Sequence, residues 1–187
     1  VIFDTGNPGP EYAMGHVHCD ALSFECFIGG EPWIVNRGTY AYQDESRLEY
    51  KKTMSHSTVT VIGEEQHECW APFRVARFGR GELVERGGSK AKAKFFYPDG
   101  KHVVCRTIDM GDEGLTVSDE GQYGADVQGA FICLDSLDLG EGADCAERVL
   151  YAPNFGENLV VNRFIYGGCS ARKTVLKYPR IGNRHGR

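Results

Sequence analysis

No window of about 11 residues in this chain repeats apolar side chains at the 3.6-residue period of a helix. Short apolar runs of strand length stand there instead, and nearly every one stops at Gly, Pro or Asp. The run 22–28 meets Gly29-Gly30-Glu31-Pro32 and resumes at 33–35, a hairpin pattern. The run 92–97 meets Pro98-Asp99-Gly100 and resumes at 102–105, a second hairpin with turn-forming residues at its tip. Residues 58–62 halt at Gly63, and further runs cover 115–117, 127–134, 148–152, 159–166 and 174–178. About a dozen short strands with regular turn signals predict an all-β chain, an antiparallel β-sandwich, as one domain over residues 1–187. The basic segment 180–187 is expected to fray.

A length of 187 residues suffices for a proper core, and 41% apolar with 25% charged residues is ordinary for a globular chain. No apolar run approaches the roughly 20 residues that span a bilayer, so no membrane segment is expected. Val1-Ile2-Phe3-Asp4 reads like the interior of a longer protein, and no targeting signal is visible. The net charge of −5 excludes the generic electrostatic footprint of a nucleic-acid binder. Charge is uneven: residues 109–147 hold eleven acidic side chains and no Lys or Arg, whereas 37–80 hold seven basic and six acidic ones. An anionic ligand suits the second segment better. The seven cysteines include no C-x-x-C pair and sit mostly in apolar stretches, so they read as mainly reduced, small hydrophobes.

Chemistry concentrates in Gly15-His16-Val17-His18-Cys19-Asp20, with a third histidine in Ser55-His56-Ser57-Thr58. On an extended backbone His16, His18 and Asp20 would share one face. Imidazole moves protons near neutral pH and holds transition metals. His18 and His56 with one oxygen ligand, from Asp20, Asn36 or Asp44, would make an open three-ligand site of the kind zinc uses. A metal-binding barrel of the cupin type also uses His-x-His followed by Glu. Here, however, six residues separate His18 from Glu25, and alternation puts Glu25 on the opposite face. Arg47 and Arg74 offer planar guanidinium forks for a carboxylate or sulfate, or else structural ion pairs to Glu45 or Glu68. Trp70 suits either a sugar ring or the core, and Tyr40 and Tyr42 read as structural. His67, His102 and His185 have no supporting neighbours and receive no role.

Six ordered blocks carry a resemblance. They are Asp4-x-Gly6, Gly15-His16-x-His18-x-Asp20-Ala21-Leu22-Ser23-Phe24-Glu25, Gly38-Thr39-Tyr40-x-Tyr42, Arg47, Thr53-x-x-His56-x-Thr58-Val59, and Trp70-x-x-Phe73-Arg74. Together they resemble the heparinase II/III family, bacterial polysaccharide lyases in which a helical toroid precedes a β-sandwich. The match is dense over residues 1 to about 80 and covers the sandwich alone; the toroid is missing from this chain. The resemblance implies β-elimination at C4 of a uronate in an anionic polysaccharide such as heparan sulfate or alginate. His16 would stand at the cleft, while a Tyr and an Asn or His come from the toroid. It also implies zinc held by His18, Asn36 and His56, although the family pattern I-V-D-x-G-T-Y has Asp where this chain has Asn36. A neutral amide loses the ion-pair contribution of a carboxylate, so zinc would be weaker here. The usual H-N-T reads His56-Ser57-Thr58. A periplasmic or extracellular bacterial setting is implied, with the reduced cysteines leaving the cytoplasm open. A sandwich edge could also pair two copies. A non-catalytic carbohydrate-binding module on the same fold is the alternative, motivated by the changes at Asn36 and Ser57.

Overall fold

In the computed structural model, which describes residues 1–134 and 145–179, all strand pairings between named strands are antiparallel. One sheet has seven strands: β1 (Ile2–Phe3), β2 (Phe24–Ile28), β3 (Glu31–Val35), β11 (Val127–Cys133), β13 (Leu159–Cys169) and β12 (Cys145–Tyr151) in that order, with β4 (Val59–Val61) also paired to β11. The second has five, in the order β14 (Ala171–Lys177), β10 (Gly114–Gly121), β9 (Val103–Met110), β8 (Lys90–Phe96) and β7 (Arg80–Gly87). A separate hairpin, β5 (His67–Ala71) with β6 (Arg74–Phe78), and one short helix, α1 (Ser46–Lys51), complete the regular elements.

The two large sheets face one another. Alternation along β10 turns Leu115, Val117 and Asp119 inward. Leu115, Val117 and Ile108 pack against Phe24, Ile34, Phe131 and Tyr166 of the seven-stranded sheet. A second cluster joins Ala93, Phe95 and Val104 to Val59, Val61 and Val127. Two open layers around a shared core make a β-sandwich, not the closed barrel a cupin needs. Among the described residues no helix is long and apolar enough to cross a membrane.

Both expected hairpins form. Gly29 and Gly30 take positive φ at the β2–β3 turn, and the Asp99 carboxylate accepts from the Lys101 and His102 N–H groups at the β8–β9 turn. Four strands, β1, β5, β6 and β7, and the helix escape the sequence pattern. β6 and β7 are largely exposed and polar, so they show no apolar contrast, and α1 is too short to display a period. The expected strand through His16, His18 and Asp20 is absent. Met14–His16 is a 3₁₀ turn, and the chain remains irregular until Phe24. Its backbone finds partners in turns and in α1 rather than in a neighbouring strand: Val17 N–H donates to Met14, Cys19 N–H to Lys51 and Ser23 N–H to Asp20. Residues 180–187, including His185, and the acidic residues of 135–144 lie outside the described residues.

A charge sits at the centre of the sandwich. Arg106 on β9 is fully buried and faces Asp119 directly across β10, with Nε–Oδ1 at 2.7 Å and Nη2–Oδ2 at 3.0 Å. Tyr166, from the opposite sheet, donates to Asp119 and accepts from Arg106 Nη2 at 2.7 Å. The remaining Nη1 donates to the carbonyls of Ser57, at 2.8 Å, and Leu22, at 3.1 Å. Gly129 makes room for this arrangement, since a Cβ there would lie 2.3 Å from the Tyr166 hydroxyl. Removing one member of a buried ion pair strands the other in low dielectric. Arg106→Met is expected to cost about 3–5 kcal/mol by urea denaturation. A loss below about 1 kcal/mol would mean that water reaches Asp119 and that the network is not the tie described here.

Candidate functional site

The network's two backbone acceptors lead directly to the histidines. Leu22 follows His18 by four residues in a left-handed conformation, φ 59°, that an L side chain adopts at a cost. Ser57 follows His56, and its hydroxyl donates to the Val35 carbonyl at 2.7 Å and accepts from Ile132 N–H at 2.9 Å. This replaces a missing rung between β3 and β11, and gives the Ser of His56-Ser57-Thr58 a structural task.

His16 and His18 diverge. His16 is exposed, its ring edge-on to Tyr42 at 5.5 Å and Phe73 at 5.7 Å. Tyr42 continues to Phe155 at 5.3 Å, so the wall is aromatic for three rings beyond the imidazole. Arg47 stands behind it, almost fully buried, with its guanidinium 4.8 Å from the Tyr42 ring centre and 4.6 Å from that of Phe73. Its Nε donates to the Pro72 carbonyl at 2.9 Å. Lys51, also buried, donates to the same carbonyl at 3.2 Å and to Gly15 at 3.2 Å. Two cations on α1 thus hold the tip of the β5–β6 hairpin and the 3₁₀ turn of His16 in one arrangement. An open groove of about 570 Å³ runs along the outside, lined by Tyr42, Asp44, Glu45, Pro72, Phe73 and Arg74.

Arg74 is exposed at this rim and forms no ion pair among the described residues; Glu68 pairs with Arg77 instead, at 2.7 Å. Arg47 faces rings and a carbonyl, so its contact with the groove runs through Tyr42 and Phe73. Trp70 is exposed on β5, whereas Trp33 is the core tryptophan. Tyr42 lies in a loop.

His18 turns inward to His56, ring centres 5.3 Å apart. His56 is buried and neither ring nitrogen has a hydrogen-bond partner; the Tyr50 carbonyl lies near both rings. Burial, and then the charges of Arg47 and Lys51, push His18 down to about 4, and burial holds His56 well below the ordinary imidazole range. Both are therefore neutral near pH 7, the form that binds a metal. Asn36 does not complete the set. Its Oδ1 accepts from Ser57 N–H at 2.9 Å, while Nδ2 donates to Glu25 at 3.3 Å and Ser23 at 3.4 Å. Asp44 instead caps Ser46 N–H at 2.7 Å, and Asp20 is pushed up to about 7 by burial beside Asp4. Among the described residues no three His, Cys, Asp or Glu side chains are grouped to hold an ion. Two neutral imidazoles, one of them with both ring nitrogens unpartnered, suit a metal, while the Asn36 oxygen is engaged with Ser57.

The sequence pattern missed Lys51 and Phe155. Lys51 reads as one of two consecutive lysines, and Phe155 arrives from a loop more than a hundred residues after Tyr42.

Residues 1–127 match the family described as Heparinase II/III-like, C-terminal. Among solved structures, the heparan sulfate lyase HepC from Pedobacter heparinus is similar over 98% of this chain and 33% of its own, at 14% identity and a TM-score of 0.66. The heparinase III-BT4657 gene product is similar over 87% of this chain and 30% of its own, at 15% identity and a TM-score of 0.61. Among curated proteins, the DNA-directed RNA polymerase subunit beta' of Chlorobium phaeovibrioides (strain DSM 265 / 1930) is 23% identical over 180 residues, 94% of this chain and 11% of that protein. The chain thus spans about a third of the solved structures' length and about a tenth of the curated relative's. At these identities the likeness to solved structures concerns the fold.

The buried histidines set a pH dependence. Behind the wall, His67 Nδ1 accepts from Gly79 N–H at 3.1 Å, and burial with Lys51 nearby lowers its pKa to about 4 from 6.5. A folded pKa below the unfolded one adds stability that is fully present above about pH 6.5 and is lost as pH falls through about 4. His18 and His56 act in the same direction, while the raised Asp20 and Asp4 oppose them. His67→Gln keeps an acceptor for Gly79 but cannot charge. Between pH 4.5 and 6 its stability should rise less steeply than wild type, by about 1.4 kcal/mol per pH unit. Parallel stability curves would show that His67 charges without unfolding cost.

Proposed function

This chain belongs to the heparinase II/III-like C-terminal family, and on that premise we propose that it is the β-sandwich part of a polysaccharide lyase acting on a uronate-containing, anionic polysaccharide. The observation that carries the proposal is His16: exposed, held edge-on by Tyr42 and Phe73, and set beside an open groove with Arg74 at its rim.

β-Elimination needs a base for the C5 proton, an acid for the leaving C4 oxygen, and something to neutralise the uronate carboxylate so that the enolate can form. His16 can give or take a proton at an exposed ring nitrogen. Arg74 can pair with a carboxylate or sulfate along the chain. The aromatic faces of Tyr42 and Phe155 supply apolar area for sugar rings. Arg47 and Lys51 act as positioning residues, because they set the distance between His16 and the hairpin tip. The other acid–base groups are assigned to a helical toroid, which these 187 residues do not contain. Substrates of the heparan sulfate and alginate type both suit this chemistry.

A metal would be held by His18 and His56 and would tie the loop after His16 to the segment before β4. No step of the elimination is assigned to it. Because Asn36 carries no charge and is engaged with Ser57, zinc should bind weakly. Asn36→Asp is expected to tighten it roughly tenfold or more in a competition titration with a chromophoric chelator, and His56→Ala to abolish it. Equal affinity of wild type and Asn36→Asp would mean that the third ligand is not residue 36.

The isolated chain is expected to bind uronate oligosaccharides without turnover, with Arg74→Ala weakening binding about tenfold in calorimetry. With the helical domain supplied, His16→Ala should lower kcat by about 10²–10⁴ while leaving affinity nearly unchanged. Unsaturated uronate ends released by the isolated chain would overturn the division of labour. The second reading, a binding module without catalysis, is favoured by the exposed Trp70 and by Asn36. It predicts no turnover in either form and no effect of His16→Ala beyond binding.

A further inference from the structure

Behind the His16 wall, two thiols from distant parts of the chain meet. Cys19 follows His16 by three residues, Cys69 is central in β5, and their sulfurs lie 3.9 Å apart across 50 residues of sequence. Cys19 is buried, with Sγ also 3.5 Å from the His67 carbonyl, while Cys69 is half-buried. We propose that Cys19 and Cys69 are a site of reversible disulfide formation, closed by exchange with a small-molecule disulfide such as oxidised glutathione, that locks the His16 loop to the β5–β6 hairpin.

Closing the bond needs the sulfurs to approach from 3.9 Å to about 2.05 Å, a distance that side-chain rotation and a small backbone shift cover. The backbone can give at this point. The β5–β6 pairing shifts register on both sides of the Cys69–Val75 pair, so no regular ladder holds Cys69 in place. The more accessible thiol reacts first. The Cys69 thiolate attacks one sulfur of oxidised glutathione, that S–S bond breaks, and one glutathione leaves with the proton Cys69 gave up. Cys19 then gives up its proton and attacks Cys69 Sγ, forming the internal bond and expelling the second glutathione as its thiol. Two protein thiols are oxidised to one disulfide and one glutathione disulfide is reduced to two thiols. A hydrogen bond from Cys19 and the nearby Lys51 ammonium favour the thiolate of Cys69.

The bond would join the two elements that Lys51 already bridges through Gly15 and Pro72, and so bear on the spacing between His16 and Phe73. It would also close a long loop in the unfolded chain.

The test uses the folded chain with Cys145→Ser and Cys169→Ser, which removes the outward-facing thiols. After incubation with oxidised glutathione, alkylation before unfolding and proteolysis, mass spectrometry should find the Cys19 and Cys69 peptides linked, with the intact chain about 2 Da lighter. The melting temperature should rise by about 5–10 °C and return on reduction with dithiothreitol. Adding Cys69→Ser should abolish both changes. A glutathione adduct that stays on Cys69 without resolving, both thiols alkylated after incubation, or a linkage to any other cysteine overturns the proposal.

Discussion

A buried guanidinium is tolerable only if every N–H it carries finds an acceptor, and that requirement organises this molecule. Arg106 meets Asp119 across one pair of strands, Tyr166 from the opposing sheet, and the carbonyls of Leu22 and Ser57 from the two segments that bear the histidines. Hydrophobic burial would hold the sheets together without specifying how the irregular segments 17–23 and 52–58 lie across them. The charge supplies that specification, because the fork geometry admits one arrangement of its acceptors. Leu22 keeps its left-handed backbone within the same constraint.

The site repeats this logic on a smaller scale. Arg47 and Lys51 come from one short helix and converge on the Pro72 carbonyl, one adding the faces of Tyr42 and Phe73 and the other the Gly15 carbonyl. Burying two cations without a bonded carboxylate costs stability, and carbonyl dipoles and ring faces offset only part of it. What the arrangement secures is geometry: a rigid wall with His16 on its outer side and His18 and His56 behind it. The same local field disfavours protonation of the inner pair, so neighbouring histidines are divided between an exposed position and a buried, neutral one. Asn36 belongs to the inner side, where its amide satisfies Ser57, Glu25 and Ser23 at once.

The strands whose apolar residues face the core were legible because burial writes itself into composition: β2, β3, β8 and β11 carry it in their inward positions, and β9 does so on either side of Arg106. β6 and β7 were not, since exposed strands contain no such contrast, and neither was α1, whose role rests on two charged residues. His16, His18 and His56 were recognisable as a group from their blocks. Their partition was not, because it depends on which way a 3₁₀ turn aims successive side chains. The spacing H-x-H suggests one face; the loop, lacking a strand to pair with, delivers two.

Pattern along the chain was enough to read the all-β sandwich, the family, and the residues around which chemistry is to be sought. These follow from period, turn chemistry and ordered motifs, all of which are local along the chain. Packing alone makes Arg47 support the wall from behind, commits Asn36 to Ser57, brings Phe155 into the aromatic row, and sets Cys19 against Cys69. Each of these is a contact between segments far apart in sequence, and its sign depends on burial. The same guanidinium is a ligand clamp when exposed and a scaffold when enclosed, and enclosure is a property of the packed layers alone.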